Sequence, residues 1–140
     1  MTFRQSLQLL VIYLLLAITF NVCWLVAKFG FGIDFIANGK IISSLVMLQM
    51  LWPVIWLGYR GHRMAFVLVM VVMTPMLVRG GIWPHVARWL DGDLGSYVHW
   101  LVYWWALLIN VFGVVVSLAA IGLALSQKRA VSRASWHLLQ

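Results

Sequence analysis

Four stretches of this chain contain no charged side chain: those between Arg4 and Lys28, Lys40 and Arg60, Arg63 and Arg79, and Asp93 and Lys128. Each is predominantly apolar, and three approach or exceed the ~20 residues that a helix needs to cross a hydrocarbon core. In lipid, only a helix or a closed barrel satisfies every backbone N–H and C=O. Runs this long and this uniformly apolar therefore predict an all-α membrane protein with four transmembrane helices.

Composition closes off the alternatives. Of 140 residues, 64% are apolar or aromatic and 9% charged, with three Asp and no Glu. A soluble domain carries about 25% charged residues, and a globule of this size could not hide so much apolar surface. A soluble enzyme, a nucleic-acid-binding domain, a disordered tail and a disulfide framework are all excluded. The net charge of +7 sits in loops and tails, where basic residues report topology and contact with anionic lipid. Cys23 is the only cysteine; in an apolar helix it reads as a small buried hydrophobe.

The expected spans are about 6–27, 41–59, 64–83 and 98–125, followed by a basic cytoplasmic tail at 126–140, all in one transmembrane domain. The first run is too long for the h-region of a cleaved signal peptide. The third is plainly apolar over only about 15 residues, which rise roughly 22 Å against a core of roughly 30 Å. It must therefore continue through Arg79 toward Trp83. The link Arg60-Gly61-His62-Arg63 is short enough to force an antiparallel helical hairpin. Arg4, Arg60, Arg63, Lys128, Arg129 and Arg133 fall on one side. Lys28, Lys40, Arg79 and Arg88 fall on the other with Asp34, Asp91 and Asp93. The basic excess places both termini in the cytoplasm, in a plasma membrane, that of the bacterial inner membrane type.

Span four carries a stripe at helical spacing, Ala106, Asn110, Gly113, Ser117, Ala120 and Ala124. Small residues let helices approach closely, and an amide among them can bond across the contact. The stripe reads as a docking face for another subunit or for helices of the same chain. Pro53 and Pro75 each remove a backbone N–H inside a span. Asn21, Gln49 and Asn110 are the amides within the spans and the candidates for lining a polar path. The absence of an intramembrane carboxylate argues against a proton antiporter.

The segment 79–99 is richest in chemistry. Pro84 suits the start of a short helix and Gly92 its end. Ile82, Val86, Trp89 and Leu90 share one face, which predicts an interfacial helix between spans three and four. Arg79 and Arg88 are candidates for holding a lipid phosphate or another anion. His85, Asp91, Asp93 and His99 are weak candidates for a divalent metal, since their spacing fits no standard ligand pattern. The histidines lie in loops, a tail or a helix mouth, so a haem held between spans is not expected, nor any other cofactor. The methionines of spans two and three read as core filler. Trp24, Trp83, Trp89 and Trp100, with Trp56 and Trp136 at the other boundary, form an aromatic belt. No nucleophile–base arrangement or phosphate-cradling loop is present.

These readings make the chain a non-catalytic accessory or assembly subunit of a larger membrane complex. Its partners would be membrane lipid and other membrane subunits or further copies of itself, without nucleic acid. The alternatives are a small oligomeric transporter or channel, and a lipid or isoprenoid handling protein built on Arg79, Arg88 and the tryptophans.

Overall fold

The computed structural model describes the backbone of residues 1–37 and 39–137, and the side chains of residues 1–37 and 39–126. Four helical stretches are long and apolar enough to cross a membrane: Phe3–Phe31, Ile41–Tyr59, Arg63–Leu90 and Trp100–Ser126. Among the described residues there is no strand, only an isolated antiparallel bridge between Ile36 and Tyr97.

Helix α1 (Phe3–Phe31) opens on a capping box. The Thr2 hydroxyl accepts from the Gln5 N–H and the Gln5 side chain accepts from the Thr2 N–H, so two donors with no helical partner are satisfied reciprocally. Its buried positions, including Leu7, Leu10, Leu14, Ala17, Asn21 and Trp24, follow the i, i+3, i+4 rule. Cys23 falls off that face and is exposed, not buried as expected: an apolar setting in a membrane helix does not imply an inward one.

The second span is two helices, α2 (Ile41–Gln49) and α3 (Leu51–Tyr59), separated at Met50. Pro53 explains the break, because it cannot donate to the Gln49 carbonyl and its ring crowds that oxygen. The third span begins as α4 (Arg63–Leu77), which contains Pro75. It passes through a π-helical turn at Val78–Ile82 and continues as α5 (Trp83–Leu90). Here the Trp83 N–H donates to the Val78 carbonyl, the i→i−5 bond of a π turn. The expected helix after Pro84 is thus present, but it prolongs span three instead of standing alone in the loop. A 3₁₀ turn (Leu94–Ser96) precedes α6 (Trp100–His137). The tail side chains Lys128, Arg129, Arg133 and Trp136 lie outside the described residues.

Helix α6 packs against both α1 and α4, and α3 packs against α4. One core cluster runs along these contacts and contains Leu7, Leu10, Leu14, Leu51, Phe66, Met70, Ala120 and Ala124. A second, with Trp24, Ile36, Ile41, Tyr97 and Tyr103, lies at the end that carries the 32–40 and 91–99 loops, the distal end below. Large apolar side chains such as Leu15, Leu16, Leu68, Val72, Val115 and Leu118 point outward, as hydrocarbon solvent permits.

The stripe on α6 faces the chain's own helices. Ala106, Ser117, Ala120 and Ala124 are buried. A Cβ built on Gly113 would collide with the Tyr13 ring of α1. The Ser117 hydroxyl donates to the Gly113 carbonyl at 2.7 Å. Small side chains here bring α6 close enough to α1 to take a tyrosine ring against its backbone.

Candidate functional site

The distal end is capped by its two loops. Gly32, at φ 70°, closes α1 in the left-handed conformation that glycine adopts without strain. The chain then turns back so that Asp34 meets α1 again. Its carboxylate accepts from Lys28 Nζ at 2.5 Å and from Trp24 Nε1 at 2.7 Å. Trp24 therefore belongs to the buried cap rather than to the aromatic belt. The Ala37 N–H donates to the Ser96 carbonyl and the Val98 N–H to the Phe35 carbonyl, which joins the two loops around Ile36 and Tyr97.

The ammonium of Lys28, with help from Trp24, holds the Asp34 carboxyl below its ordinary range. A carboxylate depressed in the folded state stabilises the fold above its unfolded value of ~4, and that contribution is lost as pH falls through the lower folded value. The Asp34→Asn variant is expected to lose this part of the acid-side decline in thermal stability and to match the parent once both are acidified. A parallel decline in the two proteins would show that the contact does not contribute.

Tyr97 anchors the cap from the other loop. It is buried, its hydroxyl shares a 2.5 Å hydrogen bond with His85 Nδ1, and its ring meets Tyr103 edge-on with centroids 5.3 Å apart. Burial pushes the Tyr97 hydroxyl up from its usual value. The Arg88 guanidinium lies 5.6 Å from the centre of the Tyr97 ring and donates to the Ala37 carbonyl at 3.4 Å. Helix α5 is amphipathic in the inverted sense: His85 is buried, while Trp89 and Leu90 are exposed. That is the arrangement expected of a helix whose surroundings are less polar than its interior contact.

Beneath the cap lies a cavity of about 630 Å³. Its polar wall is made by Asn21 of α1, Lys40, Ser43 and Ser44 at the start of α2, Arg79, His85 and Arg88 of the third span, and Asn110 of α6. Its apolar wall includes Tyr13, Phe20, Met47, Leu48, Met76 and Ile109. Both amides are oriented by their own helices: Asn21 Nδ2 donates to the Ala17 carbonyl at 2.8 Å and Asn110 Nδ2 to the Ala106 carbonyl at 2.7 Å.

The π turn puts both arginines on this cavity. Nine residues of regular α-helix cover about two and a half turns, which would set Arg79 and Arg88 on opposite faces. A π turn accommodates about one extra residue and so advances the face by roughly a quarter turn. Gly81 lets the widened turn approach α6, where a Cβ would strike the Asn110 side chain, whereas a Cβ on Gly80 would meet nothing within 4 Å.

Among the described residues, the one ion pair is Lys28–Asp34. Lys40, Arg79 and Arg88 thus line the cavity with no carboxylate in contact. Of the residues singled out in the sequence, Arg79, Arg88, Asn21, Asn110 and His85 meet here. Gln49 does not: it is exposed at the end of α2 and absent from the cavity wall, so the three amides form no common path. The weak metal candidates are not brought together either. His85 is turned to Tyr97, His99 Nδ1 accepts from the Leu101 N–H, and Asp91 and Asp93 are exposed. No group of three His, Cys or acidic side chains suited to a metal occurs among the described residues. Lys40 was not singled out, because a basic residue at a span end reads first as a topology signal.

No family model matches the chain, and no curated protein and no solved structure matches it.

Proposed function

We propose that the chain is a plasma-membrane protein that binds anionic lipid in the distal cavity, a lipid or isoprenoid handling protein without catalysis of its own. In this reading the four spans form an antiparallel bundle with both termini in the cytoplasm, as in a bacterial inner membrane. The distal end then faces outward and α5 lies at the outer headgroup layer. One observation carries the reading: Arg79, Arg88 and Lys40 share a cavity with no carboxylate in contact, and its remaining wall is largely apolar. An arginine within a membrane helix calls for an anionic partner, and guanidinium matches phosphate geometry. Depth agrees. Arg79 follows Arg63 by about 16 residues, or roughly 24 Å of helix, within a snorkelling side chain's reach of the far edge of a ~30 Å core.

An accessory subunit docking through the α6 stripe is less well supported, because those residues already pack within the chain. Two measurements test the proposal. Native mass spectrometry of the purified protein is expected to find anionic lipid retained by the parent and by His99→Ala, but lost from Arg79→Gln with Arg88→Gln. Equal retention in all three would sink the reading. Alkaline phosphatase fused after Leu90 should be active, and fusions at either terminus inactive; the reverse pattern would invert the orientation.

A further inference from the structure

The charge of the cavity wall narrows the class of lipid. Resting on the reading that the cavity takes an anionic lipid, we propose that it selects a phosphomonoester headgroup, a terminal phosphate on an acyl or isoprenoid anchor, over phosphodiester lipid. The three cations come from three separate places in the fold. Lys40 stands at the start of α2, Arg79 in the π turn and Arg88 on α5. They converge on one cavity of about 630 Å³.

None of the three acids of the cap loops forms an ion pair with these cations. Asp34 accepts from Lys28 through one oxygen and from Trp24 through the other, so its charge is directed at α1. Asp91 and Asp93 are exposed beyond the end of α5. A phosphodiester would bring one negative charge and two unesterified oxygens to this wall. A phosphomonoester brings a charge of about −1.5 to −2 at neutral pH and three acceptor oxygens. Three cations match the second better, since its larger charge and third acceptor oxygen offer each cation a charge-assisted partner. Arg88 keeps donors in hand: its contacts with the Ala37 carbonyl and Tyr97 leave others of the five N–H groups of its guanidinium available.

The apolar wall fixes the other end of the ligand. Met47, Met76 and Ile109 line the cavity, which suits the first carbons of an apolar chain. The volume lies within the range of ligand pockets, about 300–1,000 Å³, and holds a headgroup with a short length of chain. The rest of the anchor must leave between the spans into the bilayer.

The test is competition, read by native mass spectrometry, on the full-length protein in detergent. The probes are phosphatidic acid, a polyprenyl monophosphate, phosphatidylglycerol and inorganic phosphate. At least one monoester lipid is expected to displace phosphatidylglycerol with a preference of about tenfold, roughly the worth of one charge-assisted hydrogen bond. The tighter of the two identifies the anchor. Lys40→Gln should reduce that preference to within about threefold while phosphatidylglycerol still binds, since one of three charge-assisted contacts is gone. Equal binding of monoester and diester lipid would overturn the selectivity and leave the anionic-lipid reading standing. Lipid binding by Arg79→Gln with Arg88→Gln as strong as the parent's would overturn both. Displacement by inorganic phosphate as effective as by either lipid would show that no anchor is recognised, and would overturn the lipid assignment.

Discussion

Gly113→Leu is expected to cost the protein its folded state, or most of its thermal stability in detergent. The Tyr13 ring of α1 lies where the new Cβ must go, and Tyr13 is itself fully buried. Neither ring nor backbone can yield without separating α1 from α6, the most extensive helix contact in the molecule. Overpacking a core costs typically 1–3 kcal/mol. Here the strain falls on backbone approach in a membrane helix pair, where close packing supplies much of the association energy. The matched control is Gly122→Leu on the same helix, whose Cβ meets nothing within 4 Å and which should melt close to the parent. Insertion should survive in both variants, because leucine favours the membrane. Coincident melting of the two leucine variants would show that the α1–α6 contact is looser than described.

Gly81→Leu is expected to separate binding from folding. Glycine lets the π turn lie against Asn110, and a side chain there would push the amide aside and enter the cavity. The backbone of Gly81 is not in the left-handed region, so the substitution adds bulk without forcing an unfavourable φ. Lipid retention should fall more than about tenfold, because the branched side chain takes volume that the headgroup needs. The helical circular dichroism and the melting temperature should change little, since no residue of the turn is buried and the nearest obstacle is the Asn110 side chain rather than a core residue. Undiminished lipid retention in a folded Gly81→Leu protein would place the ligand elsewhere.

The spans were legible because charge is so costly in hydrocarbon that its absence alone marks them out. Arg79 and Arg88 were legible for the complementary reason, as charges that the shortness of span three forced into notice. Their convergence was not. Helical periodicity sets them half a turn apart, and only the π turn brings them together; the signal was Gly80-Gly81 followed by Pro84, which denies the next turn an N–H. Cys23 and Trp24 went astray from the same cause. In a chain apolar on every side, side-chain type does not reveal which face turns inward, and Asp34 reaches Trp24 only through the reversal at Gly32. Small residues on α6 marked a close contact without naming its partner, which Tyr13 supplies from the first helix.

The widened turn in the third span works as a phase adjuster. α4 presents Phe66, Met70 and Met73 to the core, and α5 presents His85 and Arg88 to the cavity. The winding between the two segments sets the angle between those faces. Winding the same residues as regular α-helix would swing the outer segment by about a hundred degrees, carrying Arg88 off its present wall while leaving the core half of the span in register, whereas deleting one glycine along with the π turn would leave both faces where they are. The winding of this turn, more than the identity of any side chain in it, decides whether the two arginines share one wall.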